Sequence, residues 1–189
     1  MRTPDPVEQN LPVRRPPILV IAGLPPEIFA WADRLRRAHY PPERNRLAAH
    51  VTLLHGLPGS AEGEVHRLLA SAAARTIPPD ARITGIMDLG GGTAFAVESP
   101  TMMALHAELA ECLHGLIQPR DARTPRLHIT IQNKVSHAEA KRLQAELAQA
   151  LSPSLATKRF RFTGLSTHRW DGEAWVFERH HAFRAAIRD

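Results

Sequence analysis

Leu47-Ala-Ala-His50-Val-Thr52-Leu-Leu54 and Leu127-His128-Ile-Thr130-Ile131 are the two stretches on which the reading of the fold turns. Each sets a histidine and a threonine two residues apart inside a short apolar run. On an extended chain residues i and i+2 face the same way, so His50 projects with Thr52 and His128 with Thr130. Val51, Leu53, Ile129 and Ile131 then face the packed layer behind them. A polar loop of Pro and Arg precedes each stretch, and a helix opening on serine follows: Ser60-Ala-Glu62 in one case, Ser136-His-Ala-Glu139 in the other.

Working outward, the likeness extends to most of the chain. Ile18–Gly23 is a β-branched run followed by Pro25-Pro26 and an amphipathic stretch from Glu27 to Arg37. Ala94–Val97 is a second such run, followed by Pro100 and an amphipathic stretch from Met102 to Leu116. Arg82-Ile-Thr84-Gly85-Ile echoes Arg161-Phe-Thr163-Gly164-Leu, and Gly90-Gly91-Gly92 and Asp171-Gly172 mark hairpin turns. The paired Pro, His, Gly and Glu positions lie about 75–80 residues apart and drift by no more than a loop's worth, which reads as an internal duplication.

The predicted strands are Ile18–Gly23, His50–Leu54, Arg82–Asp88, Thr93–Glu98, His128–Gln132, Lys158–Leu165 and Ala174–Arg179. The predicted helices run from Glu27, Glu64–Arg75, from Met102 and Ala138–Leu151. Strands alternating with helices but mixed with hairpins indicate an α+β protein, with two βαβ-type units packed as pseudo-symmetric lobes. Residues 1–17 carry five prolines and no apolar h-region, and read as a flexible arm rather than a signal peptide. Residues 18–189 read as one domain, because no Gly/Ser-rich linker divides them.

Composition excludes several classes. With 43% hydrophobic and 23% charged residues in 189, the chain can bury a full core. No apolar run approaches the roughly 18–20 residues of a membrane span. The single cysteine, Cys112, excludes an intrachain disulfide and fits a reducing cytoplasm. It falls in the apolar pattern Leu105, Leu109, Cys112, Leu113, Leu116 and is expected in the core. A net charge of +5 favours anionic partners, and eleven histidines give an ample supply of acid–base groups.

Two imidazoles facing one another from two units can act as general base and general acid on one substrate. Two hydroxyls beside them can donate to non-bridging phosphate oxygens, where charge accumulates in a transition state. This combination suits hydrolysis or transfer at a phosphodiester without a metal, and no His/Cys/carboxylate spacing resembles a zinc site.

Duplicated His-x-Thr strands in a βα repeat resemble the two-histidine (2H) phosphoesterase superfamily, which includes 2′-5′ RNA ligase-like proteins and cyclic phosphodiesterases. The resemblance runs from about Ile18 to Phe183. It implies a bilobal fold of two antiparallel sheets flanking a central cleft, with helices outside. It further implies His50 and His128 as the catalytic pair, Thr52 and Thr130 as phosphate ligands, and activity on 2′,3′-cyclic phosphates or related 2′ phosphodiesters. The expected substrate is an RNA end or a cyclic nucleotide, with no cofactor, no metal, no membrane and no obligate protein partner. Reversible 2′-5′ RNA ligation and a non-catalytic nucleotide- or RNA-binding module are the competing functions.

Further candidates flank the motifs. Gln132 continues the His128–Thr130 face by alternation, and Lys134 would add charge at the cleft edge. Arg126, with Arg120 and Arg123, could reach a substrate backbone. Trp170, beside a hairpin turn, is the best stacking platform for a base, ahead of Tyr40, Trp31 and Trp175. Arg34, Arg36 and Arg37 read as a solvated face. By the same alternation His55 points away from His50 and Thr52 and is a structural residue, and His180-His181 lie at the surface.

Overall fold

The computed structural model describes residues 15–119, 121–155 and 158–184, without the side chains of 151–155. Residues 1–14 of the expected arm and Arg120 lie outside the described residues. Arg15–Pro17 lie against the sheet, where Arg15 pairs with Glu62 at 3.2 Å and the Pro17 carbonyl accepts from the Trp170 amide at 3.3 Å.

Ile18–Ala22, an unbroken apolar run, is buried at every position and forms β1, as expected of a strand covered on both faces. Pro26 opens α1 (Pro26–His39), where a missing N–H costs nothing. Val51–Leu57 forms β2 and Glu62–Arg75 forms α2. Asp80–Asp88 (β3) and Gly92–Glu98 (β4) make a hairpin around Gly90, whose φ of +80° is the left-handed region that glycine enters freely. In α3 (Pro100–Cys112), Ser99 Oγ accepts from the Met102 amide. Next come β5 (His128–Asn133) and α4 (His137–Leu155). At the head of α4, Ser136 and Glu139 close a capping box: Glu139 N donates to Ser136 Oγ and Ser136 N to Glu139 Oε2. The first unit lacks this device, since α2 starts at Glu62 with Ala61 at its cap and no side-chain bond.

The chain ends in β6 (Arg159–Arg161), β7 (Gly164–Trp170) and β8 (Trp175–Ala182). The single strand expected over Lys158–Leu165 is thus two. Between them, Phe162 N bonds to Pro79 O and Thr163 N to Gly23 O, and the fully buried Phe162 plugs the crossing point.

The eight strands pair antiparallel in the order β6-β3-β4-β5-β2-β1-β7-β8. The order is two four-stranded halves, β5-β4-β3-β6 and β2-β1-β7-β8, each repeating the other. They meet at one residue pair, Val51 opposite Ile129. The two expected sheets are therefore one curled sheet with a narrow waist. The lobes are also not the sequence repeats: β3 follows the first unit's helix but pairs with β4 of the second, and β7 returns to pair with β1. Adjacent strands joined by a tight turn zip locally before distant ones can compete, and this exchanges one strand between units. Helices α1 and α4 pack on the β5-β4-β3 half, and α2 packs on β7-β8 with α3 beside it.

Cys112 is exposed, contrary to the core reading. The buried stripe of α3 is Met102, Leu105, His106 and Leu109, and it continues into the fully buried Leu113. One step of four from Leu109 reaches Leu113, which leaves Cys112 off the stripe.

Candidate active site

With Val51 opposite Ile129 in an antiparallel pair, His50 stands opposite Thr130 and Thr52 opposite His128. Directly opposed residues share a face, so all four motif side chains rise on the side away from Val51 and Ile129, both fully buried. The two histidines are diagonal neighbours across the waist, a spacing of about 7–8 Å between backbones.

Both imidazoles are anchored alike. His50 Nδ1 lies 2.6 Å from the Ala48 carbonyl and His128 Nδ1 lies 2.6 Å from the Arg126 carbonyl. A carbonyl can only accept, so Nδ1 carries the hydrogen in each ring and the neutral Nε2 presents a lone pair. The Thr52 and Thr130 hydroxyls hold none of the hydrogen bonds found among the described residues, which leaves them available to a ligand. His50, Thr52 and Thr130 line a cavity of about 290 Å³ together with Leu19, Arg36, Tyr40, Arg44, Arg46, His55, Asn133, Trp170 and Trp175. A larger hollow of about 540 Å³ follows the β6–β3 edge, where Arg82–Glu98 and Asp80–Arg161 are already paired with each other.

The charge environment separates the two rings. Burial, reinforced by the positive charges of Arg36, His168 and His128, pushes the His50 pKa down to about 3. Burial also lowers that of His128, and His55 and Arg126 add to the effect. In both rings the carbonyl on Nδ1 pulls the other way.

Arg36 is the residue that sequence reading missed. Expected on a solvated face, it is 5% exposed. Its Nε donates to Asn45 Oδ1 at 2.8 Å, its Nη1 donates to the Thr130 carbonyl at 2.8 Å, and the guanidinium lies 4.2 Å over the Tyr40 ring. Burial lowers its pKa, with Tyr40 and Asp33 opposing. Asp33, one turn earlier, accepts the Ala49 amide at 2.9 Å and so fixes the chain entering His50. The signal was present in α1: residues 32, 33 and 36 fall on the stripe that also carries the partly buried Ile28, Trp31 and Leu35.

Two β-bulges alter the remaining expectations. In β2, Thr52 pairs with Ile21 but Leu54 with Val20, so Leu53 is an extra residue. In β5, Thr130 pairs with Ala94 but Gln132 with Thr93, so Ile131 is extra. A bulge shifts alternation by one. Gln132 therefore leaves the His128–Thr130 face and is 8% exposed beside Thr93, whose hydroxyl bonds to Ala140 of α4. Asn133 takes the cleft position in its place. In β2 the same shift brings His55 onto the His50–Thr52 side, opposite to its expected direction.

Lys134 is exposed at a φ of +64°, its amide bonded to Asn133 Oδ1, and is not among the residues lining the cavity. Arg126 is exposed and contributes its carbonyl to His128 and its charge nearby, while its side chain borders a separate hollow. Trp170 and Trp175 both line the cavity, their rings packed edge-on at 5.6 Å. Trp31 is stacked on Phe95 at 4.7 Å. His180 is exposed, and His181 packs against His66.

Comparison with known proteins agrees with this architecture. The profile of the 2′-5′ RNA ligase superfamily matches residues 24–174. Among solved structures, the Thermus thermophilus protein TT0787 superposes with a TM-score of 0.59 at 16% identity, over 89% of this chain and 98% of that one. The Escherichia coli LigT structure complexed with 3′-AMP gives 0.57 at 18% identity, over 89% and 98%. A crystal structure described as a phosphoesterase gives 0.55 at 16%, over 90% and 99%. No curated protein matches the chain in sequence.

Proposed function

We propose that this chain, which belongs to the 2′-5′ RNA ligase superfamily of 2H phosphoesterases, hydrolyses 2′,3′-cyclic phosphates or related 2′ phosphodiesters of RNA ends or nucleotides by metal-independent histidine acid–base catalysis. The observation that carries the reading is the set of four side chains around the Val51–Ile129 pair. Two imidazoles with fixed Nδ1 hydrogens and two unengaged hydroxyls share one face, and His50, Thr52 and Thr130 open into the cavity beside which His128 stands.

In this mechanism the phosphate sits between the two rings. The Thr52 and Thr130 hydroxyls donate to its non-bridging oxygens, where they stabilise the charge of the pentacovalent transition state. His50 is the base. Held neutral by burial and by Arg36, its Nε2 takes a proton from the attacking water as the new P–O bond forms. His128 is the acid, because no buried arginine opposes its protonation. Its Nε2–H passes to the departing ribose oxygen as the old P–O bond breaks. Trp170 and Trp175 supply a wall against which a base can stack, and the exposed Arg44 and Arg46 face the next phosphate.

Incubation with 2′,3′-cyclic nucleotides in the presence of EDTA tests the proposal. Turnover to a single monophosphate isomer is the expected result. Binding without turnover would favour a nucleotide-binding module instead, and an absolute need for added divalent metal would overturn the mechanism. Supplying an RNA 5′-hydroxyl end together with a 2′,3′-cyclic phosphate end, and looking for a joined 2′-5′ product, separates ligation from hydrolysis.

A further inference from the structure

The bulge in β2 leaves the site with a third histidine. His55 lines the same cavity as His50 and Thr52, five residues after His50, as Asn133 lies five residues after His128. The two strands run antiparallel, so each residue at that offset flanks the histidine of the other strand. Asn133 lies beyond His50, and His55 lies toward His128. The site is pseudo-symmetric in its four motif residues and asymmetric in this flanking pair.

His55 is held as firmly as the motif rings, by a different device. Asp121, in the loop before β5, is 5% exposed, and its carboxylate grips His55 twice. Oδ2 accepts the His55 amide at 2.6 Å and Oδ1 meets Nδ1 at 2.9 Å. Its field also reaches the buried His106 of α3. A buried carboxylate can only accept, so the His55 Nδ1 carries a hydrogen. The ring is 40% exposed, and its free edge, with Nε2, is the part offered to the cavity. Gly56, at a φ of +58°, takes up a second register shift directly after the ring, and the strand runs on to Leu57 opposite Ile18.

We infer that His55, oriented by Asp121, binds the sugar side of the ligand, its Nε2 accepting a hydrogen bond from the ribose hydroxyl vicinal to the phosphate held between His50 and His128: the free 3′-hydroxyl of a 2′ phosphodiester, or the hydroxyl that opening of a 2′,3′-cyclic phosphate releases. This rests on the reading of the cavity as a phosphodiester site and deepens it: the site holds a ribonucleotide through the ribose oxygen vicinal to its phosphate ester, once that oxygen carries a hydrogen. The position on the His128 side is the one the departing ribose would occupy. Asp121 is a positioning residue, which acts by fixing the tautomer that leaves Nε2 an acceptor.

The test is a comparison of nucleotide binding, read by titration calorimetry or by quenching of Trp170 and Trp175 fluorescence. Wild-type protein should bind 3′-AMP roughly 3- to 10-fold more tightly than 2′-deoxy-3′-AMP, the size of one hydrogen bond. His55→Phe should bring the two within about 2-fold while keeping affinity for inorganic phosphate. Asp121→Asn should do the same without altering the fold. Its amide oxygen can still accept the His55 N–H, but its NH2 now donates to Nδ1 and moves the ring hydrogen to Nε2, so the acceptor becomes a donor. Retention of the wild-type ratio in both variants, or no ribose preference in the wild type, overturns the inference and leaves the phosphate site intact. Failure of the wild type to bind 3′-AMP, 2′-deoxy-3′-AMP or inorganic phosphate overturns the phosphodiester reading and this one with it.

Discussion

Binding of a phosphate ester should be accompanied by uptake of a proton near pH 7. In the free protein burial holds both motif imidazoles neutral at that pH, His50 at a pKa of about 3 and His128 below its ordinary value. Acid catalysis needs one of them protonated in the complex. A phosphate anion about 4 Å from an imidazolium contributes about 4 kcal/mol at the effective dielectric of a partly buried site. At about 1.4 kcal/mol per unit this lifts a histidine pKa by roughly three units. His128, lowered by burial but with no buried arginine against it, is the ring on which such a lift acts with least opposition. For His50 the lift does not reach neutrality, because the ring starts near 3 and Arg36 and His168 stay beside it.

His128 is therefore the ring that gains the proton and His50 the ring that stays basic. Calorimetric titration of the protein with 3′-AMP in buffers of different ionisation enthalpy measures the number directly. The slope of observed enthalpy against buffer enthalpy should correspond to an uptake approaching one proton at pH 7, and it should vanish in His128→Ala but persist in His50→Ala. The association constant should fall as pH rises through the His128 pKa of the complex. A slope of zero in the wild type, or one lost only in His50→Ala, would refute the assignment of roles.

His50→Ala and His128→Ala should each lower kcat by roughly 10²–10⁴ with little change in melting temperature, and the double variant should lose far less than the product of the two, since the rings act as a unit; near-full activity in either single variant removes that ring from the mechanism. Arg36→Met should raise the pH of the acid limb of the kcat/KM profile, because that limb reports the protonation of His50, and should lower stability by about 1–3 kcal/mol through the orphaned Thr130 carbonyl; an unmoved limb would separate Arg36 from His50. Gln132→Leu should leave activity unchanged and hold or raise the melting temperature, since its Oε1 is buried without a partner among the described residues. Stability should fall on acidification: desolvation lowers the folded pKa values of His66, His106 and His168, so the unfolded chain binds more protons below about pH 6.5. Their contribution is complete above that pH and is lost as pH drops through the folded values, and melting curves between pH 7.5 and 5 measure it.

How much of this was legible in the sequence depends on the range of the interactions involved. The α+β class, the duplication and the Ser136–Glu139 helix start are local or periodic properties, and they were readable. The exchange of β3 and β7 between the halves was not, because strand order depends on which edges meet in space. Lys158–Leu165 looked like one strand since Phe160, Phe162 and Leu165 continue an apolar run. Its break at Phe162 exists because the chain crosses there from the edge of β3 in one half to β1 in the other. The stretch carries the apolar character of both destinations and no sign of the crossing.

The site divides along the same line. Co-projection of His50 with Thr52 and of His128 with Thr130 needs only three consecutive extended residues, and it was readable. Everything beyond Thr52 and Thr130 depended on alternation continuing, and in both strands it stops at once. Two adjacent buried residues stand where one is needed, Leu53-Leu54 in β2 and Ile131-Gln132 in β5. In Leu53-Leu54 the pair of buried leucines is itself the signal of a bulge, since a regular strand with a polar face exposes one of them. Had that pair been read as a bulge, His55 would have been placed in the cleft from sequence alone. Ile131-Gln132 conceals the same bulge, because a glutamine in second place imitates the polar beat of a regular strand. The duplication supplies the correction that neither strand gives alone. If β2 is bulged after Thr52, its repeat should be bulged after Thr130, which sends Gln132 to the helix side and brings Asn133 to the cleft. The bulges thus give one duplicated motif two different flanks, an amide beside His50 and a carboxylate-held imidazole toward His128, and in the mechanism proposed above this difference would let a pseudo-symmetric site tell the attacking side of a phosphate from the departing one.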